Sequence, residues 1–280
     1  MIAITFYNFN PVLLEIGPIS IRWYGIAYLL GILLGFFLLE KLSNYRKKKF
    51  QIICLTKDKI DQLTIYVILG IILGGRLGFV LFYRPNWFIE RPLHLLNTLE
   101  GGMSFHGGFL GLLIALLIFC KRYKISFFSL SDLICTVAPL GLFFGRLANF
   151  INGELYGRIT EVPWAIVFPA GGALPRHPSQ IYEAMSEGLF LFIIMLYCFF
   201  FTKTPKKIGK VTGIFLIGYS IARLIVENYR EPDLQGGIFV IFNNEITKGQ
   251  VLTIPLMLFG LFLIKDNVRN FFYSIARSSR

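Results

Sequence analysis

Long apolar runs separated by short polar or basic segments set the pattern of this chain. Near-continuous Leu, Ile, Val, Phe and Gly fill Ile19–Leu39, Gln62–Tyr83, Met103–Cys120, Leu133–Ile151, Ile181–Phe201, Val211–Asn228 and Val251–Ile264. A helix needs about 20 such residues to cross a hydrocarbon core of roughly 30 Å. The pattern therefore predicts an all-α polytopic membrane protein with seven transmembrane helices, acting as a single membrane-embedded domain over residues 1–280. The last run is the shortest, and the third and fourth carry polar residues.

The segments between the runs differ in charge. Lys41–Ile60 holds seven bases against one acid, Lys121–Ser131 three bases, Thr202–Lys210 four, and Lys265–Arg280 four against one acid, together +16. The alternating segments Met1–Pro18, Arg84–Gly102, Asn152–Gln180 and Arg230–Gln250 sum to −2. Short loops rich in Lys and Arg stay in the cytoplasm, so the N-terminus is expected outside and the C-terminus inside. Met1–Pro18 has no basic leader and the first run no small-residue cleavage site after it, so the first helix is expected to be retained. Its aromatic and aliphatic residues suit an N-terminal arm lying in the outer interface. Asn152–Gln180, the longest external segment and rich in Gly and Pro, is expected to form a small ordered cap at residues 152–180.

Composition adds little beyond this. At 55% hydrophobic and 16% charged residues the chain is too apolar for an ordinary soluble domain. The net charge of +12 follows from the topology signal and is not a nucleic-acid footprint. Cys54, Cys120, Cys135 and Cys198 show no CxxC pairing and read as packing residues.

The informative residues are those that break the apolar runs. A charge at the bilayer centre costs about 2.5–3.5 kcal/mol on insertion scales and is a functional hypothesis by default. Arg146 and Asn149, three apart and on one helix face, leave the fourth run into Asn152, Gly153, Glu154 and Gly157. Arg76 stands among Gly74, Gly75 and Gly78, small residues that let helices approach closely. His106 is bracketed by Gly101–Gly102 and Gly107–Gly108. Glu183 and Glu187 lie four apart, and two such carboxylates in an apolar setting need arginine counter-ions. Tyr219, Arg223, Glu227 and Arg230 form one stripe on the sixth run.

Each has a bland alternative. Arg146 can snorkel to the headgroups, Trp23 and Tyr24 suit an aromatic belt, His106 can be a packing residue, and Arg223 can simply pair with Glu227. With the topology above, Arg22, Arg76, Arg146 and Arg223 fall in the outer half of the membrane against Glu183, Glu187 and Glu227. One positive charge is then left over for an anionic partner, and a phospholipid phosphate is available at that depth. Arg suits it because its planar fork grips phosphate oxygens in pairs and stays charged when buried.

Several stretches resemble the prolipoprotein diacylglyceryl transferases, bacterial inner-membrane enzymes that modify the lipobox cysteine of prolipoproteins. They are Trp23–Gly25, Gly75–Gly78, Gly101–Gly108, Gly145–Gly157, Leu174–Gln180 and Tyr219–Pro232. The resemblance implies transfer of the diacylglyceryl group of phosphatidylglycerol to a cysteine thiol, with a thioether formed and glycerol phosphate released. It places Tyr24, His106, Arg146, Arg223 and Glu227 in catalysis. Arg76, Arg146, Asn149, Glu154, Gly157 and Arg223 would hold the phosphatidylglycerol. Membrane lipid and the lipobox peptide are the expected partners. No cofactor or metal is implied, and no ligand spacing supports a zinc triad of His94, His106 and His177. The alternative from another class is a transporter or channel for an anionic substrate. It would need ionisable residues through both leaflets, whereas the inner half holds Glu40, Asp61 and Asp132 only at span ends.

Overall fold

The computed structural model describes residues 4–6, 10, 12–17, 19–52, 55–87, 102–232, 238–241 and 244–265. Helices dominate: α1 (Trp23–Phe50), α2 (Lys57–Tyr83), α3 (Phe105–Tyr123), α4 (Phe127–Ile151), α5 (Ser179–Phe201), α6 (Lys210–Val226) and α7 (Lys248–Ile264). Among the described residues α1 to α5 are long and apolar enough to cross a membrane, in keeping with a mostly helical, multi-pass membrane protein. Their outward faces are apolar, as in Ile65, Leu69 and Leu73 of α2.

Three two-stranded pieces were not anticipated. Strands β2 (Val12–Ile16) and β3 (Ile19–Arg22) form an antiparallel hairpin before α1. The first apolar run therefore begins as strand, because Ile19 and Ile21 in a short segment pair with Ile16 and Leu14 instead of winding. Strand β1 (Ile4–Thr5) pairs in parallel with β4 (Ile166–Val167). Hairpin β5 (Ile238–Ile241) to β6 (Asn244–Thr247) leads into α7, whose N-cap Thr247 and Gln250 form a capping box.

The chain groups into two compact units, Met1–Leu39 with Ser131–Arg280, and Glu40–Leu130. In the second, α2 and α3 meet through small residues four apart, Gly70, Gly74 and Gly78 against Gly107, Gly111 and Ala115. A Cβ on Gly74 would overlap the Gly107 carbonyl, and one on Gly78 would lie 2.7 Å from the Gly107 Cα. Lipid offers no hydrophobic drive for two helices to associate, so backbone-close packing of this kind holds them. The glycine after His106 is thus accounted for by the crossing. Arg46, fully buried, donates to the Ser129 carbonyl at 2.9 Å.

In the first unit, Asp132 at the start of the apolar part of α4 is fully buried. Its carboxylate accepts from the backbone N–H groups of Gly209 and Thr212 and from the Thr212 hydroxyl, each at 2.9 Å. One helix thereby caps the N-terminus of another, satisfying donors that no residue within α6 reaches. At the other end of α6 its last turn carries Arg223.

The α2–α3 crossing gives a direct test. Gly74→Ala should lower the thermal stability of the detergent-solubilised protein by about 1–3 kcal/mol, since the new methyl meets backbone that cannot rotate away. Gly35→Ala, whose methyl would stand 4.0 Å from a Val137 methyl, should leave the melting curve near the parent's.

Candidate active site

Three helices of the first unit bring five charged side chains together. Arg146 comes from the last turns of α4, Glu183 and Glu187 from α5, and Arg223 with Glu227 from the end of α6. Helix α5 is irregular there: Ser179–Glu183 is α-helical, Ala184–Phe190 widens into a π-helix, and Leu191–Phe201 returns to α. Such π turns are rare and concentrate at functional sites. Gly188 in this turn lets α5 touch α4, for a Cβ there would lie 2.7 Å from the Phe143 Cα.

Arg223 is the hub. Its Nη1 lies 2.6 Å from Glu183 Oε1 and 3.5 Å from Glu187 Oε1, and its Nη2 lies 2.7 Å from Glu227 Oε2. Arg146 is held more loosely, with Nη1 3.4 Å from Glu183 Oε2 and Nη2 3.6 Å from Glu187 Oε2. Both glutamates of α5 are inaccessible, whereas the Arg146 side chain keeps 18% of its surface open. Arg146 therefore has long contacts and an open edge, the two properties needed to accept another anion.

The pairing expected for Arg223 with Glu227 is present, but as one edge of a network. Among the described ion pairs of this cluster two guanidiniums face three carboxylates; Arg22 ends strand β3 and Arg76 belongs to the other unit. Part of the negative excess is met by α7. Glu227 Oε1 accepts from the Thr247 hydroxyl at 2.9 Å, and a Cβ on Gly249 would lie 2.6 Å from that oxygen. Glu227 thus rests on a helix N-terminus, equivalent to about +0.5 charge.

Beyond Arg146 the chain leaves α4 in a tight loop. Gly153 takes φ +65° and Leu155 φ +57°, a left-handed conformation that costs a non-glycine residue roughly 1–2 kcal/mol. The Glu154 carboxylate accepts from the Asn149 amide at 2.9 Å and from Asn152 at 3.3 Å, which orients Asn149 beside Arg146. Two residues that sequence reasoning left without a role hold this loop: Gln180 donates to the Glu154 carbonyl at 2.7 Å and Ser179 to the Leu155 carbonyl at 3.1 Å. Their signal was a Pro-Ser-Gln start to a span, with an amide where the helix becomes buried. Gly157 has no room for a side chain, since its Cβ would lie 2.5 Å from the Tyr229 carbonyl and 2.7 Å from His177 Cβ.

Residues 158–178 fold against this loop. Phe6 packs with Phe150 and Phe168. Arg176 lies over the Tyr156 ring at 4.9 Å and donates to the carbonyls of Gly157 and Gly171 while meeting Glu231 at 3.1 Å. The Tyr182 hydroxyl receives the Trp164 indole N–H at 2.6 Å and lies 3.1 Å from His177 Nδ1. Burial pushes the His177 imidazole below its ordinary range, and its Nδ1 and the tyrosine hydroxyl share one hydrogen bond.

The other predicted residues are placed as follows. Tyr24 is the second residue of α1, half-buried in the same unit as the cluster. Arg76 is buried in the second unit, donating to the Gly102 carbonyl at 3.2 Å and lying over the rings of Phe79 and Trp87 at 5.7 and 5.5 Å. His106 is the second residue of α3, exposed and edge-on to Phe105. His94 lies outside the described residues.

Residues 11–265 match the prolipoprotein diacylglyceryl transferase family. The chain is 50% identical over 260 residues to the phosphatidylglycerol–prolipoprotein diacylglyceryl transferase of Rickettsia felis, covering 93% of this chain and 97% of that one. It is equally similar to that of Rickettsia rickettsii strain Sheila Smith, and 49% identical to that of Rickettsia bellii strain OSU 85-389 with 96% of the relative covered. The resemblance read from the sequence motifs thus extends along nearly the whole chain, which belongs to the prolipoprotein diacylglyceryl transferase family.

Proposed function

We infer that this chain transfers the diacylglyceryl group of phosphatidylglycerol to a prolipoprotein cysteine. The thiol sulfur attacks the glyceryl carbon next to the phosphate, a carbon–sulfur bond forms, the carbon–oxygen bond to phosphate breaks, and glycerol phosphate leaves with the bonding pair. The observation that carries the residue assignment is the loosely held, partly open Arg146 at the edge of a buried ionic network. Family membership favours this reading over a conducting path for an anionic substrate.

The contacts around Arg146 and Arg223 support the following roles. Arg146 grips the phosphate and stabilises the charge that develops as it leaves, with the Asn149 amide as a second donor held by Glu154. Arg223, bound to three carboxylates, fixes Glu183 and Glu187, which in turn orient Arg146; Glu227 ties that hub to α7. Gly157 lets the cap close against the loop. On the family resemblance, Arg76 serves the lipid, Tyr24 the reacting groups, and His106 takes the thiol proton. A free thiol has a pKa of about 8.5, and a histidine is suited to remove its proton at neutral pH.

The membrane arrangement belongs to the same proposal. Helices α6 and α7, each 17 residues, complete seven crossings at the short end of the range that spans a bilayer. The basic segments lie in the cytoplasm, the N-terminus outside, and residues 152–180 form an external cap of one membrane-embedded domain in the bacterial inner membrane.

Purified protein reconstituted with phosphatidylglycerol and a lipobox peptide should yield a thioether-linked diacylglyceryl peptide, seen by mass spectrometry; free fatty acid or no product would refute the reaction. Arg146→Lys should insert and accumulate normally yet lose on the order of a hundredfold in rate, because a single ammonium cannot reproduce paired oxygen contacts and small misplacements are costly. Near-parent turnover would remove Arg146 from the phosphate. His106→Gln should be slow at pH 7 and recover about tenfold per pH unit as the thiol ionises on its own. A loss of equal size at every pH would assign His106 to positioning instead.

A further inference from the structure

The exposed stripes of two helices converge on one aromatic cluster. On α5 the outward face runs through Phe201, Tyr197, Ile194, Ile193 and Phe190 and continues, at helical spacing, to Tyr182 in the first turn. On α6 it runs through Ile221 and Ile225 and ends at Tyr229. The rings of Tyr182 and Tyr229 lie 5.9 Å apart, and His177 packs edge-on against both. Trp164 of the cap is 54% exposed although its indole N–H is bound to Tyr182. Ile159 and Leu174 of the cap are as exposed as Trp164.

A tryptophan whose only polar atom is satisfied gains nothing from facing water, and burying it would gain about 25 cal/mol per Å². Its hydroxyl partner stands at the end of an apolar stripe that faces acyl chains if α5 spans the bilayer. Rings with an apolar body and a polar tip collect at that level of a membrane. We propose that Trp164, Tyr182 and Tyr229 form a membrane-contacting edge of the cap, seated at the headgroup and glycerol level of the outer leaflet. The partner is the phospholipid interface itself, and the inference rests on the membrane topology proposed above. Its consequence is that the cap is anchored beside the lipid from which substrate is drawn, and is not a lid moving freely in water.

The test uses the full chain in phosphatidylglycerol-containing vesicles, with lipids brominated either near the glycerol end or near the methyl end. Emission from Trp164 is taken as the difference between the parent and Trp164→Phe, and independently from a Trp23→Phe, Trp87→Phe variant that keeps Trp164 alone. Blue-shifted emission lost to the shallow bromine, little affected by the deep one and shielded from aqueous iodide, is the expected result. Quenching by iodide without quenching by either lipid would overturn the proposal, as would shielding that arises only when lipobox peptide is added. Diacylglyceryl transfer is measured on the same vesicles: transfer with an iodide-quenched Trp164 sinks the anchor and keeps the function, and shallow quenching without transfer does the reverse.

Discussion

Burying charge in an apolar structure is the constraint on which the site depends. Glu183 and Glu187 have no access to solvent, and an unpaired carboxylate so placed would cost several kcal/mol. Arg223 answers both and Glu227 as well, so α5 and α6 are joined by charge-assisted contacts as short as 2.6 Å. Such a hub is rigid because removing any member strands another. Rigidity is what a reaction with a charged leaving group needs, since donors that are already in place need not reorganise as the charge develops.

The backbone is bent to serve that network. The π turn of α5 carries Glu187 and lets Gly188 press against α4, which brings Arg146 within reach. Asp132 capping α6 holds that helix at one end, while Glu227 seated on the N-terminus of α7 holds it at the other. Helix α6 is thus pinned at both ends, and Arg223 has a fixed height between them. The strained loop at Gly153 and Leu155 is held by Gln180 and Ser179 from the start of α5, so the same helix that supplies the carboxylates also sets the position of Asn149.

The cluster is not an anion site by excess of charge. Two guanidiniums stand against three carboxylates, with the α7 terminus beside Glu227, so in the proposed reaction a phosphate would be met by Arg146 in particular and not by a general positive field. Arg146 has contacts about 1 Å longer than the shortest Arg223 contact, and its side chain is partly open where Glu183 and Glu187 are closed. In the proposed site the arginine that binds is thus distinct from the arginine that holds, although both occupy similar places in the sequence pattern.

The apolar runs alone determined the helical, multi-pass class, because crossing a hydrocarbon core demands a length and composition that few other structures need. The polar and charged residues breaking those runs marked Arg146, Asn149, Glu183, Glu187, Arg223 and Glu227, because a polar or ionised group in that setting must have a partner. The motif spelling named the family. What the chain could not reveal by itself was who partners whom. An i, i+4 spacing made Arg223 and Glu227 a pair, but only the packing of α4, α5, α6 and α7 shows Arg223 shared among three carboxylates and Glu227 resting on Thr247. The pairing of Ile166–Val167 with Ile4–Thr5, the cap that Asp132 supplies to α6, and the loop contacts of Ser179 and Gln180 were equally out of reach. Each depends on a hydrogen-bond partner distant in sequence, whereas apolar length and local spacing are properties of the chain before it folds.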